Sequence, residues 1–309
     1  MGVYRRVTPV TRRVGVVGVN GPFDLGVNPI SYAVVHIDGV VAGAGAVGQE
    51  QPFTDIDRIR VTFNGAGVVD INGEDLRAIL VALGWRVPFV VNHASTSNGD
   101  LVRMSLPIPF SRRRFWLREA FPASRRGEFQ ISVTLTTQGS TFQTRNIEIE
   151  TVEILDAQPM RFLKYVEQAR ALTSGDPDFE LPVGNDYVGV LIFHPVSADA
   201  GFGTGTIGRL RLLLDNVEFG IADASFEAVR DLFEQKGHPL DNFNNASIPQ
   251  LANYAYVDFD PLLDDSYLVP TVGRSSIKFR FEVDNAGSVR VHPIELVAVP
   301  GAAAGAVTP

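Results

Sequence analysis

The sequence predicts an all-β protein built from two tandem antiparallel sandwiches, and three observations carry that prediction. Short Val/Ile/Phe-rich runs are separated by turns drawn from 29 Gly and 19 Pro in 309 residues, the pattern of many strands and few long helices. Several runs alternate apolar and polar residues with the period of two that a half-buried strand needs. The order of these runs then repeats after about half the chain, and an internal repeat of that kind decides the fold.

Taken in order, Leu25-Gly26-Val27 and the apolar run Tyr32 to Ile37 correspond to Leu181-Pro182-Val183 and Tyr187 to Ile192. Next, Ile56-Asp57-Arg58-Ile59-Arg60-Val61 matches Ile207-Gly208-Arg209-Leu210-Arg211-Leu212, each a strand with arginines on its wet face. Asn64-Gly65 and Asp215-Asn216 follow as turns. Asn72-Gly73-Glu74-Asp75 then opens a short amphipathic helix over Leu76, Ile79, Leu80 and Leu83 that stops at Gly84. Its counterpart opens at Asp223-Ala224-Ser225, runs over Phe226, Val229, Leu232 and Phe233, and stops at Gly237. Both have a capping start and a glycine stop. Phe129 to Leu135 pairs with Ile277 to Val283, and each half closes on a further strand, Ile147 to Ile154 and Val289 to Val299. Several short strands per half imply sandwiches or jelly rolls.

The expected divisions are a basic N-terminal arm over 1–24, a first sandwich over 25–157, a connector over 158–180, a second sandwich over 181–299 and a tail over 300–309. Within the connector, Met160 to Leu172 reads as a helix with Phe162, Leu163, Val166 and Ala169 on one side. The net charge is −8. Residues 1–30 carry Arg5, Arg6, Arg12 and Arg13 against Asp24, a local charge of +3 that leaves −11 for the remainder. A basic arm on an acidic body suits a protein whose ends meet different surroundings. There is no Cys, so disulfides and thiolate metal sites are excluded. No apolar run reaches the length of a membrane-spanning helix, and the arginine-rich start does not read as a secretory signal.

No motif in the sequence spells a known catalytic or metal-binding set. His36, His93, His194, His238 and His292 stand in no metal-ligand spacing. Gly43 to Gly48 spells Gly-x-Gly-x-x-Gly, but no helix opens after it to hold a phosphate. Gly201 to Gly205 sits at the same place in the second half. Carboxylate pairs stand at Asp55/Asp57, Glu148/Glu150 and Asp264/Asp265. Glu148 and Glu150 share a strand face where they could work as acid and base, but their alternation with Ile147 and Ile149 reads as a solvated face. No catalytic, cofactor or metal residue is assigned. The segment Ser111 to Arg118, with Arg112, Arg113, Arg114 and Arg118 around Phe115 and Trp116, supports two readings. It can bind phosphates and bases, or it can pair with acidic loops of a neighbouring subunit. Asp258, Asp260, Asp264 and Asp265 occupy the equivalent region of the second half, and opposite charge on equivalent loops favours head-to-tail contacts.

Two tandem sandwiches in the same order, each with a short helix after its central strands, an arginine-bearing arm and no catalytic set together resemble one family. It is the double jelly-roll major capsid proteins of tailless icosahedral viruses, including internal-membrane phages of the tectivirus and corticovirus kind. The resemblance covers residues 25–299 and implies two eight-stranded jelly rolls per chain, related by internal duplication. It further implies a trimer of six barrels forming a pseudo-hexagonal tile of a virion shell, no enzyme activity and no cofactor. Penton and minor capsid proteins would be partners. Arg5, Arg6, Arg12 and Arg13 would face inward toward membrane lipid or genome. The alternative is a tandem jelly-roll carbohydrate-active enzyme or glycan-binding protein, for which Trp85 and Trp116 are a sparse supply of stacking platforms.

Overall fold

The first unit of the chain, Met1–Lys164 with Val297–Pro309, is a sandwich of a four-stranded antiparallel sheet and a four-strand antiparallel run that belongs to a larger sheet. The computed structural model describes residues 4–15, 17–42, 51–86, 88, 90–92, 97–136, 142–173, 175, 177–195, 205–236, 251 and 253–300. Strands β1 (Tyr4–Val14), β2 (Gly18–Asp24), β3 (Ile30–Val41), β4 (Ile56–Phe63), β5 (Ala66–Ile71), β6 (Leu101–Pro109), β7 (Phe129–Leu135) and β8 (Phe142–Leu155) follow one another, with helix α1 (Gln51–Thr54) before β4 and α2 (Gly73–Ala82) after β5. One sheet runs β1-β8-β3-β6 and the other β2-β7-β4-β5. The inward faces are dry because the sequence alternates. In β3 and β7 every second side chain is buried, and Val35, Ile59, Val61, Ile131 and Val133 are wholly so. Phe121 stacks on Phe129 with ring centroids 3.5 Å apart, and each such ring removed from water stabilises the fold by about 2 to 3 kcal/mol.

The second unit, Tyr165–Leu296, repeats the plan with β10 (Gln168–Leu172), β11 (Asp178–Leu181), β12 (Asp186–Phe193), β13 (Ile207–Leu214), β14 (Val217–Glu218), β16 (Tyr254–Asp258), β18 (Ile277–Val283) and β19 (Gly287–Ala298). Its sheets run β10-β19-β12-β16 and β11-β18-β13-β14. In rank order, both units therefore read first-eighth-third-sixth and second-seventh-fourth-fifth, the jelly-roll order of two interlocked Greek keys. Helix α3 (Phe226–Glu234) takes the place of α2, while β15 (Ala224–Ser225) and β17 (Val269–Pro270) add short bridges to β13 and β12.

The duplication extends to the hydrogen-bond register. Ile56 faces Leu135, Ile59 faces Val133, and Phe63 faces Phe129. Adding 151 to the first residue of each pair and 148 to the second gives Ile207 facing Val283, Leu210 facing Phe281 and Leu214 facing Ile277, all observed partners. The register shift falls at the same step in both ladders, between Ile56 and Arg58 and between Ile207 and Arg209. Both hairpin turns place two residues at positive φ, Asn64 and Gly65 in one, Asp215 and Asn216 in the other, the geometry a two-residue turn needs to follow strand twist. On the wet face, Asp70 receives both Arg58 and Arg60. Asp223 receives both Arg209 and Arg211. The helix caps agree as well: Asn72 Oδ1 accepts from Asp75 N–H at 2.8 Å, and Ser225 Oγ from Ala228 N–H at 3.3 Å.

Two expected elements take another form. The stretch over 1–24 is no free arm, since residues from Tyr4 onward form β1 and β2. β1 pairs with β8 from Tyr4 opposite Leu155 to Val14 opposite Ile147. Residues 160–172 form no helix but strands β9 (Arg161–Val166) and β10. Buried Phe162, Leu163 and Tyr165 hold the first, and β10 pairs residue by residue with β19 from Gln168 opposite Val291 to Leu172 opposite Gly287. Tertiary pairing overrides the helical spacing of the apolar residues there. The jelly rolls thus begin earlier than residues 25 and 181.

Candidate assembly surface

At one end of the first unit the loops 25–29, 64–65 and 110–128 meet the start of β1. Ser124 N–H donates to Val27 O at 3.1 Å, Asn64 N–H to Glu128 O at 2.9 Å and Gly127 N–H to Asp24 at 2.9 Å. The Arg5 guanidinium lies 5.0 Å from the centre of the Phe115 ring. The arginine cluster sits on this end, and its members divide into two kinds. Arg112 is not at the surface: its side chain is fully buried, its Nε lies 3.1 Å from both oxygens of Glu119, and Arg161 adds a contact to the same carboxylate at 2.8 Å. An intersubunit role for Arg112 is therefore replaced by an internal one, because a buried cation needs a buried anion beside it. Arg113, Arg114 and Arg118 are exposed. Arg113 lies over Trp116 at 5.3 Å and Arg114 over Trp85 at 4.7 Å, contacts that hold a guanidinium against a ring while its edge stays wet. Phe115 adopts φ 62° with its N–H donated to Ser31 Oγ at 3.1 Å, which ties the loop to the start of β3.

The four N-terminal arginines lie along one strand, β1. Arg5 and Arg6 begin β1 and Arg12 and Arg13 end it, so the pairs are about 20 Å apart along a strand rising about 3.3 Å per residue. Arg6 is engaged by Glu153 at 2.9 Å.

The equivalent end of the second unit gathers loops 182–185, 215–216 and 259–276. Gly184 N–H donates to Thr271 Oγ1 at 2.7 Å, and Asp215 accepts from Ser275 N–H at 2.8 Å. Here too the predicted charges divide. Asp260 is buried, and its Oδ1 accepts from the N–H groups of Asp264 and Asp265 at 3.2 and 3.1 Å. Asp258 accepts from Asp260 N–H at 2.9 Å and pairs with Lys236. These contacts fold the loop, and full burial keeps the Asp260 carboxylate from the surface, so its part is internal. Asp264 is exposed, and hydrogen bonds from Ser266 hold its carboxyl below the ordinary carboxylate range. Asp265 is half-buried beside it. Sequence reading passed over the exposed apolar residues of this loop, Leu262 and Tyr267, although apolar residues scattered among Asp and Pro in a loop were a visible signal.

His36, His194, Glu148 and Glu150 make contacts within their own units or line a half-wet face. His36 bonds Ser105 at 2.7 Å and Glu150 at 3.1 Å on the half-wet face of the first sheet. Glu148 and Glu150 alternate with buried Ile147 and Ile149 as a solvated face does. His194 is buried, accepts the Ile207 N–H at Nδ1 over 3.0 Å and stacks on Phe226. Burial first and Arg230 second push its pKa down to about 4. His93, His238, the Gly43 to Gly48 run and residues 201–204 lie outside the described residues.

No protein-family model matches this chain, and no curated protein sequence does. Solved structures do match. The major capsid protein of Sulfolobus Turreted Icosahedral Virus superimposes with a TM-score of 0.70 at 13% identity, over 96% of this chain and 97% of that one. The major capsid protein P2 from Bacteriophage PM2 gives 0.64 at 10% identity, over 97% and 99%. The PBCV-1 virus capsid gives 0.65 at 11%, over 96% and 94%. The fold is that of the double jelly-roll major capsid proteins. At such identities the likeness is one of fold, and it accounts for both halves of the chain. A double jelly roll carries paired end loops, and in this one the loop between the sixth and seventh strands is basic in the first jelly roll and acidic in the second.

Proposed function

We propose that this chain is the structural major capsid protein of an icosahedral virus. Three copies assemble into a trimer whose six jelly rolls form a pseudo-hexagonal tile of the virion shell. The observation that carries this reading is the duplicated strand order, matched over nearly the whole chain by capsid proteins. Duplication supplies a geometric reason: a hexagonal tile needs six near-equivalent edges, and two sandwiches per chain in a threefold ring provide them. The side chains support a structural role too, because the charged residues described above are spent on turns, buried pairs and exposed loops. The virion is the site of action after synthesis in the host cytoplasm, with penton and minor capsid proteins as further partners. Arg5, at the basic loop end, is directed toward the lipid or genome side of the shell.

The test is the mass of the purified full-length protein by light scattering, followed by electron microscopy of concentrated samples. Trimers that tile into sheets or shells are expected. A monomer at every concentration, or one that hydrolyses a glycan, overturns the proposal.

A further inference from the structure

We infer that loop 110–128 of the first jelly roll docks on loop 259–276 of the second jelly roll of another copy of this chain, a head-to-tail contact. The inference rests on the capsid reading and names the surface through which copies meet. The two loops are structural equivalents, each joining the sixth strand of its unit to the seventh. Their charges are opposite. The first carries six Arg against Glu119 and Glu128, a net +4, and the second carries Asp260, Asp264 and Asp265 against Arg274, a net −2. Internal pairing leaves the complementarity in place, since Arg114 and Arg118 make no ion pair among the described residues. Asp264 presents an ionised carboxylate opposite them in sign.

Both loops also expose apolar side chains beside their charges. Phe115 is 36% and Leu117 45% exposed on the basic loop, Leu262 60% and Tyr267 61% on the acidic one. A protein partner buries such residues together while its charges set orientation. Nucleic acid fits the basic loop less well. Bases need an open ring face to stack on, whereas Arg5 covers Phe115, Arg114 covers Trp85, and Arg112 and Arg113 lie over Trp116. A contact joining two different patches is heterologous and closes into a ring when each step turns by one third.

The experiment compares the full-length wild type with Arg113→Glu/Arg114→Glu, with Asp264→Arg/Asp265→Arg, and with the chain carrying all four changes. Assembly is read by light scattering against concentration at low and high salt. Each one-sided reversal is expected to raise the concentration for half-assembly by roughly tenfold or more, and the fourfold swap to bring it back toward wild type. Melting curves serve as the fold control. If a reversal melts early, Arg113→Gln/Arg114→Gln and Asp264→Asn/Asp265→Asn replace it, with a smaller loss expected. Binding to phosphatidylserine vesicles and to a single-stranded oligonucleotide is measured in parallel. Wild-type assembly matched by every variant overturns the contact and leaves the capsid reading standing, as does an arginine variant that loses only vesicle or oligonucleotide binding. A wild type that never assembles overturns both.

Discussion

Asn185 donates its side-chain amide to the carboxylate of Glu295 at 2.6 Å, and Asn28 stands in the same relation to Glu153 at 2.8 Å. Each Asn precedes the third strand of its jelly roll, and each Glu lies buried on the eighth. A buried carboxylate needs hydrogen-bond donors in place of the water it has lost. The pair therefore pins the loop between the second and third strands to the sheet in both units. Asn28→Ala and Asn185→Ala are each expected to lower the unfolding free energy by about 1 to 3 kcal/mol in urea titrations. A change below about 0.5 kcal/mol, the size of an ordinary surface substitution, would show that the pairs are incidental.

Neighbouring arginines of one loop should differ sharply. Glu119→Ala leaves Arg112 charged in the interior and is expected to cost about 3 to 5 kcal/mol. Arg114→Ala removes only a surface contact with Trp85 and should cost at most about 1 kcal/mol. Equal losses for the two would contradict the inside and outside assignment of the cluster.

That distinction was not legible in the sequence, where Arg112, Arg113 and Arg114 are alike. Which of them turns inward depends on Glu119 seven residues on and on Arg161 reaching the same carboxylate, relations that only the folded loop creates. The paired strands were legible because their signal is local. Alternating arginines mark Ile56 to Val61 and Ile207 to Leu212, and the offset between them is the offset of the observed ladders. β1 escaped because its partner, β8, lies more than a hundred residues away, and Pro9 and four arginines obscure its strand character. The segment 160–172 escaped for a related reason: its apolar residues satisfy helical spacing, and pairing with β19 decides the outcome.

Acid should weaken the second jelly roll through His194. Its imidazole takes a proton near 6.5 when unfolded and near 4 when folded, so the unfolded chain binds more protons between those values. Its contribution is thus fully present above pH 6.5 and falls as pH drops, by about 3 kcal/mol on reaching pH 4. His194→Gln keeps an acceptor for the Ile207 N–H and should flatten the melting temperature over that interval. An unchanged slope would remove His194 as the cause.

Packing inside the second unit leaves no room beside Gly189. A Cβ built there would lie 2.2 Å from the Tyr256 hydroxyl and 2.4 Å from its ring, and Tyr256 is buried. Gly189→Ala is expected to destabilise by about 1 to 3 kcal/mol by overpacking. Adding Tyr256→Phe removes the clashing oxygen and should recover part of that loss; no recovery would place the strain in the backbone.

The most direct measurement is an electron cryomicroscopy reconstruction of the purified, assembled full-length protein. Three chains around a threefold axis, resolved as six upright sandwiches in a near-hexagonal ring, is the predicted result. An assembly of any other symmetry, or particles holding a single chain with its two jelly rolls alone, would contradict the account.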